Sequence, residues 1–402
     1  MTGASDDLGP PRTLLALEEA RRIIANARVP VLHSETVRLR EALGRLAGAT
    51  IHARTDVPFR PLSAMDGFAV RVSGRPTTGP LTVRGAVFPS GGPGVGLLRR
   101  GEAAYISTGA PLPRGANAVV RIEAARRTGD MLWLARPARR NQDVLPPGES
   151  VSRGDVLLSR GEPIRAVHVG AFLAQRMPRV PVARLRVSVL PIGDELVADE
   201  DPAPAGTWDY MGPTISTLLP FAQVELCPPS PDDRPRVERT LLRAARHADL
   251  LFTIGGSSVG AKDVTKAAIR GVGRLWFEGV RVNVLKRGAV GAIGKVPTVV
   301  LPGQLVSAVT VYHEHGLHLI SRLVGRELRR FERATLTRGV HVDHPLDSTY
   351  LLRLSGGEAT PLPWGVARMT ALLQAQGFAV LDHGRSYRAG DRITVQRLWV
   401  NS

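Results

Sequence analysis

Cysteine is almost absent: Cys227 is the only one in 402 residues. A lone thiol excludes an internal disulfide and any structural zinc site of the multi-cysteine kind. Cys227 itself reads as a small buried hydrophobe at a strand end. Aromatics make up only 5% of the chain, and no zinc finger, basic zipper or RNA-binding aromatic signature accompanies the positive charge, which argues against specific nucleic-acid recognition. No run reaches the ~18 apolar residues of a membrane span. The N-terminus, MTGASDDLGPPRTLL, has acids and prolines where a signal peptide needs basic residues before an apolar run. A cytoplasmic protein with no membrane partner is expected. Lysine is scarce as well: only four of the 53 basic residues are lysines, and Lys262, Lys266, Lys286 and Lys295 all fall in one 34-residue window. Where arginine is the rule, a retained lysine marks a position that needs a compact point charge, with a solvated surface as the plain alternative.

What is present is ordinary globular material, 43% apolar and 22% charged in 43.2 kDa. The chain is too long for one core, since cores stop growing near ~250–300 residues. Lys plus Arg outnumber Asp plus Glu by 53 to 36, a formal charge of +17, which favours anionic partners such as nucleic acid or a phosphorylated metabolite. Residues 13–48, in LLALEEARRIIANA and SETVRLREALGRLAG, alternate apolar and charged positions with helical period and predict a helical entry segment ending at Gly48. From Ala53 to about Gly148, glycines, short β-branched runs and turn pairs predict a β-rich domain with no helix longer than two turns. From Arg186 apolar runs alternate with helical stretches, from RVSVLPI through DLLFTIGG and TVVLPG to LVSAVTVYHEHGLHLISRLVG, the pattern of βαβ units and a mostly parallel sheet. The tail after Arg333 returns to strand runs around one short helix, Val366 to Gln374. The fold class is therefore α/β plus β, in several domains.

The strongest local signal is DLLFTIGGSSVGAKDVTKAAI. An apolar strand runs into Gly255-Gly256-Ser257-Ser258-Val259-Gly260 and then a helix, so backbone N–H groups and a helix N-terminus can face one anion in a phosphate cradle. The spacing matches neither the Walker loop nor the dinucleotide fingerprint, and alone such a turn is as often purely structural. A second turn of the same plan, VVLPGQLVSA, has Pro302 and Gly303 with Ser307 in the first helical turn. The two would converge at the carboxyl ends of their strands, where open α/β sheets bind ligands. Asp194 and Glu195 follow RVSVLPI, Asp263 opens the helix after the first turn, and Asp66 lies in PLSAMDGFAV. Carboxylates beside a phosphate can hold Mg2+; for Asp263 a helix N-terminal role is the plain alternative. The histidines of HEHGLH (His313, His315, His318) lack the i,i+4 pairing of a zinc protease helix and are not read as a metal site.

In order and spacing, PLSAMDGFAV, ISTGAPLPRGANAVVRIE, PPGESVSRGDVLL, GDELV, DLLFTIGGSSVGAKDVTK and VVLPGQLVSA resemble the molybdopterin molybdenumtransferases, the family of MoeA and the gephyrin E domain, over most of residues 15–402. The resemblance implies an elongated subunit of four parts: a helical, linking domain of residues 1–54 and 149–181, a β-rich insert at 55–148, a molybdopterin-binding α/β domain at 182–328 and a C-terminal β domain at 329–402. It implies a homodimer whose site lies between the α/β domain of one chain and the β-rich insert of the other. The implied reaction cleaves adenylylated molybdopterin, releases AMP and inserts molybdate at the dithiolene with the help of Mg2+. Carried over by position, Asp66, Thr108, Glu195, Asp263 and Lys286 form the catalytic set, and Asp66, Glu195 and Asp263 the metal set. Gly255, Gly256, Ser257, Ser258, Gly260, Lys262, Pro302, Gly303 and Ser307 would hold the pterin phosphate and the oxyanion. A molybdopterin adenylyltransferase and a recipient molybdoenzyme are the partners implied.

Several polar positions depart from the family pattern. Met211 stands where the family has Asn, and Ala261 where it has an acid. Lys286-Arg287-Gly288-Ala289-Val290 replaces Lys-Pro-Gly-Lys-Pro, Gln304-Leu305 ends the PGNP turn, and Leu145 and Ser150 replace an Arg and an Asp. Each loss removes a hydrogen bond or charge of about 1–3 kcal/mol in a desolvated pocket. The alternative reading is an impaired paralogue that binds, carries or scaffolds the cofactor without turnover. Adenylyltransferase activity is disfavoured by the β-rich insert and the C-terminal domain.

Overall fold

The computed structural model describes residues 14–74, 77, 79–91, 95–197, 207–256, 263–363 and 368–398. The chain divides into two compact units: Met1–Ala49 with Arg160–Arg165 and Arg179–Ser402, and Thr50–Ser159 with Ala166–Pro178.

In the smaller unit six strands form one sheet, in the order Ala118–Arg121, Gly67–Val70, Glu102–Ile106, Leu81–Val87, Met131–Leu134, Ala125–Thr128. Only the contact between Glu102–Ile106 and Leu81–Val87 is parallel. Successive side chains of a strand point to opposite faces, so Phe68, Val70 and Val120 bury one face while Ala69 and Val119 bury the other. Between Thr50 and Ser159 the only helical element among the described residues is a single 3-10 turn, Ile122–Ala124, as the glycine-rich composition predicts.

The larger unit is built on a sheet of β1 (Arg186–Ile192), β2 (Gln223–Leu226), β3 (Leu250–Gly255), β4 (Arg274–Glu278), β5 (Ala289–Ile293) and β6 (Val296–Leu301), ordered β2-β1-β3-β6-β5-β4. The first four in that order run parallel, and the pairings of β6 with β5 and of β5 with β4 are antiparallel, so that β5 alone is reversed. The inner parallel strands β1, β3 and β6 are mostly apolar because both faces are covered, whereas the edge strand β2 is largely exposed. Val187, Val189, Phe252, Ile254 and Leu301 enter one core, and Leu190, Ile192, Leu251 and Val300 the other. Cys227, just past β2, is buried, the role its lone occurrence suggests. Asp233 accepts a bond from Arg236 N and starts the helix Arg234–Ala245 with Pro235 in its first turn.

After β6, Leu305–Val311 and Leu317–Val324 form two helical segments joined by a π-bulge, Tyr312–Gly316. Behind them strands Phe331–Leu336, Ser348–Ser355, Glu358–Pro361, Gly377–Leu381 and Arg392–Arg397 close a small barrel. Val306 and Val309 pack with Leu351, Phe378 and Leu398, so the barrel buttresses the helix that carries Ser307. The short helix of the tail spans Met369–Gln374.

The expected helical entry segment is only half helical. Leu17–Asn26 forms a helix, but Ser34–Arg38 is a strand paired antiparallel with Arg179–Ala183, followed by a four-residue helix, Leu39–Ala42. Thr36 and Val37 are β-branched and suit a pleated surface. Their partner strand lies far along the chain, where no local pattern could reveal it.

Candidate functional site

The site is assembled where the parallel strands end. β1 and β3 lie at the switch point of the sheet, since the chain leaves β1 toward β2 on one side and returns to β3 on the other. Ligands of open α/β sheets bind in this crevice. Ile192 pairs with Gly255, and Ile254 with Leu301, so β1, β3 and β6 end within one residue of the same level. Gly255 and Gly256 have φ of +84° and +56°, the left-handed region that costs a side-chain-bearing residue. Thr265 fastens the turn to the next helix: its Oγ1 donates to Gly255 O at 3.0 Å and its N to Gly256 O at 3.3 Å. The two glycine turns meet, for a Cβ placed on Gly303 would lie 3.8 Å from Gly255 Cα. Ser307 is buried in the first turn of the helix that follows. Ser257, Ser258, Gly260, Ala261 and Lys262 lie outside the described residues.

The carboxylates divide into distinct roles. Asp194 and Glu195 are exposed after β1; Asp194 Oδ1 accepts from Asp232 N at 2.9 Å. Asp263 is 6% exposed, and both of its oxygens are engaged by one residue. Oδ1 accepts from Lys266 N at 3.2 Å and Oδ2 lies 3.0 Å from Lys266 Nζ, with the two side chains 4% and 3% exposed. Asp263 is thus the N-cap of Val264–Val272 and one half of a buried ion pair. Lys286 is exposed on the connection from β4 to β5, and Ala289 is buried where that connection enters β5. Met211 is buried in the core beside β1, so the position where the family has Asn is here a packing position. Gln304, exposed, precedes the Leu305–Val311 helix as its N-cap without a side-chain bond.

In the smaller unit Asp66 and Thr108, both singled out from the sequence, come together: Thr108 N donates to Asp66 Oδ1 at 2.9 Å, and both residues are exposed. Ser150 is held through its backbone, N to Val57 O at 2.9 Å.

Two acids were passed over in the sequence. Asp209 Oδ1 accepts from Met211 N and Gly212 N at 3.1 and 2.8 Å, capping Met211–Thr217. Asp232 reaches the first turn, since a Cβ on Gly256 would lie 3.4 Å from its Oδ1. The signals were Asp three residues before Gly in DYMGP and the paired acids of PDDRP, both helix-start patterns. Among the described residues no three of His, Cys, Asp and Glu gather closely enough to hold a metal ion unaided.

The comparisons with known proteins agree with this geometry. Residues 15–175 match the family model "MoeA N-terminal region (domain I and II)", and residues 188–322 match "Probable molybdopterin binding domain". The molybdopterin molybdenumtransferase of Haemophilus influenzae is 31% identical over 319 residues, 78% of this chain and 79% of that protein. The chain belongs to the molybdopterin molybdenumtransferase family. Molybdopterin molybdenumtransferase 2 of Mycobacterium tuberculosis is 31% identical over 314 residues, 74% of this chain and 76% of its own. The solved molybdopterin biosynthesis MoeA protein of Pyrococcus horikoshii superposes with a TM-score of 0.80 at 25% identity, covering 96% of this chain and 99% of that one. In family terms β1–β6 belong to the molybdopterin-binding region and the Asp66–Thr108 turn to the N-terminal region. Among the described residues no helix is long and apolar enough to cross a membrane.

Proposed function

We propose that the chain is a molybdopterin molybdenumtransferase: it takes adenylylated molybdopterin and molybdate, cleaves the phosphoanhydride to release AMP, and leaves molybdenum on the dithiolene. The observation that carries this reading is the meeting of two glycine turns at the sheet's switch point, with Gly303 and Gly255 in contact range and a helix starting after each turn. Backbone N–H groups and helix N-termini suit phosphate and molybdate alike, because both are tetrahedral oxyanions. Gly255, Gly256 and Gly303 let the backbone approach the phosphate, Ser307 offers a hydroxyl, and Lys286 adds a mobile positive charge.

Mg2+ suits the donors present. It keeps several waters and takes one or two carboxylates plus phosphate oxygens, so the exposed Glu195, with Asp194 beside it, would hold it. Once bound it would offset charge developing on the phosphoanhydride. Asp263 fits that role poorly, since Lys266 already engages both its oxygens. In the same reading Asp66, fixed by Thr108 N, acts on the substrate from the β-rich domain, and a homodimer of four-part subunits is the working form.

The test follows AMP release and metal retained on the pterin, using purified full chain, adenylylated molybdopterin, molybdate and Mg2+. Molybdate-dependent release is expected, and Asp66→Ala should lower it by roughly a hundredfold. A chain that binds the pterin but releases no AMP would be the impaired paralogue instead. Unchanged release by Asp66→Ala would remove the β-rich domain from the chemistry.

A further inference from the structure

Helix Leu17–Asn26 carries two stripes. Ala20 and Ile24 turn into the main core, and Arg21 beside them is engaged by Glu314. Glu19, Arg22, Ile23 and Asn26 recur at i, i+3, i+4 and i+7, a spacing that sets them on one face of the helix. That face lines a groove of 650 Å3 against β4, the last strand of its sheet among the described residues. β4 supplies Leu275 and Trp276 to the other wall. Leu275 faces Gly291 and Phe277 faces Val290, so Trp276 is the extra residue of a bulge. Ile23 and Trp276 are half-buried and pack on the main core, so the apolar floor of the groove is held in place from behind.

The charge around that floor has one sign. Arg22 of the helix, Arg28 just past its end and Arg274 at the start of β4 line the groove and are exposed. Among the described residues none of these three guanidiniums has an ion pair or a hydrogen bond, in contrast with Arg21, Arg186, Arg234 and Arg326. Glu19 is the one acid in the described lining, and Glu278, at the far end of β4, is engaged by Arg270.

We infer that this groove is a docking surface for an acidic segment of a partner protein, which seats an apolar side chain against Trp276 and Ile23 and lays carboxylates on Arg22, Arg28 and Arg274. An apolar centre inside a polar rim is the anatomy of a protein interface, and tryptophan and arginine are the residues that most often carry its affinity. A guanidinium can hold a carboxylate through two bonds at once. Three cations against one acid set the sign of the partner. The strand edge itself is not offered for pairing, because a bulge and a charged side chain are what keep an edge from adding another strand; recognition runs through side chains. None of these residues belongs to the crevice at the switch point, so the inference stands apart from the transferase reading.

The experiment titrates the full chain into a fluorescein-labelled peptide of repeated Glu-Glu-Leu triplets at low salt and follows anisotropy. The groove variant is Arg22→Glu/Arg28→Glu/Arg274→Glu. The control, Arg126→Glu/Arg136→Glu/Arg388→Glu, removes the same charge at exposed positions that do not line the groove. All of these positions are exposed, so both variants should keep the wild-type unfolding midpoint. The groove variant should bind at least about tenfold more weakly than wild type and the control within about threefold, because a general field is weakened equally in both. A Glu-Glu-Ser peptide of the same length should bind roughly tenfold more weakly than the Leu peptide, its apolar anchor being gone. The Leu peptide should also change the tryptophan emission of wild type and not that of Trp276→Phe. Equal losses in the two triple variants would reduce the contact to net charge and overturn the proposal. Equal affinity for the two peptides, an emission change that persists in Trp276→Phe, or no binding by wild type would overturn it as well. A single-stranded oligonucleotide of matched charge that binds more tightly than the peptide, and is lost in the groove variant alone, would overturn it in favour of nucleic acid.

Discussion

Gly256 and Gly303 stand in the same crevice for different physical reasons, and substitution separates them. Gly256 has φ +56°, and a Cβ there would collide with Thr265 Oγ1 and come within 3.0 Å of Ile192 Cγ2. Gly256→Ala should therefore lower stability by about 1–3 kcal/mol, measured as a fall in the urea unfolding midpoint. Gly303 has no left-handed backbone, and among the described residues its Cβ would meet only Gly255 Cα at an ordinary 3.8 Å. Gly303→Ala should unfold within about 0.5 kcal/mol of wild type and still bind molybdopterin at least roughly tenfold more weakly, because the methyl occupies space the anion needs. Wild-type affinity in Gly303→Ala would show that the ligand does not sit between the two turns. At this scale the glycines were legible, since strand, glycine turn and helix follow one another in sequence. The engagement of Asp263 by Lys266 was not, because spacing places the two on one helix turn but says nothing about burial. Met211 likewise reads as a lost polar group until its place in the core is seen.

The element that departs most from regularity is the helix after β6. Its π-bulge, Tyr312–Gly316, buries two histidines and a carboxylate, and such bulges persist only where packing holds them. Glu314 is fully buried and accepts from Arg21 Nε and Nη2 at 2.6 and 2.8 Å, tying in the helix Leu17–Asn26, with Arg329 at 3.6 Å. Burial alone would raise its carboxyl, but the bonds from Arg21 and the nearby positive charges bring it below the usual range. His313 lies between the Val309 and Leu398 carbonyls, to one of which its neutral ring can donate, and Gln396 donates to His313 O, so the bulge is sewn to the last barrel strand. Among the described residues neither ring nitrogen of His315 has a hydrogen-bond partner; Phe277 meets the ring edge-on at 5.3 Å. Burial pushes His313 and His315 down to about 4. A base with a depressed folded pKa takes up protons more readily when unfolded, so its effect is absent above about 6.5 and stability is lost as pH falls from there toward 4. Glu314 acts in the same direction below its ordinary carboxyl range. The unfolding midpoint should drop steadily between pH 7 and 5, with a ceiling of roughly 3 kcal/mol for each of His313 and His315. His315→Leu, which forfeits no hydrogen bond, should shrink that slope; an unchanged slope would place the acid sensitivity elsewhere. The sequence HEHGLH indicated a half-buried helix, but the bulge and the reach to Arg21 depend on contacts across nearly the whole chain. The strand at Ser34–Arg38 was hidden for the same reason: its pattern of charged and apolar residues fits helix and strand alike until its partner is known.

For the whole molecule the excess of 17 positive charges acts through the field it casts. Many arginines are already committed, as in Arg186 with Asp249, Arg234 with Glu238 and Arg326 with Glu162; exposed pairs of this kind add little stability. The remainder still attracts a substrate bearing phosphates and an anion such as molybdate. Composition made that attraction legible from the start; the low aromatic content and the lack of a nucleic-acid signature already weighed against nucleic acid, and the converging glycine turns add to the case for a small ligand. The two differ in how they respond to salt. Steering raises the rate of encounter and leaves the bound complex alone, so kcat/KM for adenylylated molybdopterin should fall several-fold between about 20 and about 300 mM salt while kcat holds steady. Nonspecific nucleic-acid binding, which releases a counterion for each phosphate neutralised, would fall far more steeply over the same range. A parallel loss in kcat would mean that salt disrupts contacts within the complex, and the long-range field would then have no part in bringing substrate to the cradle.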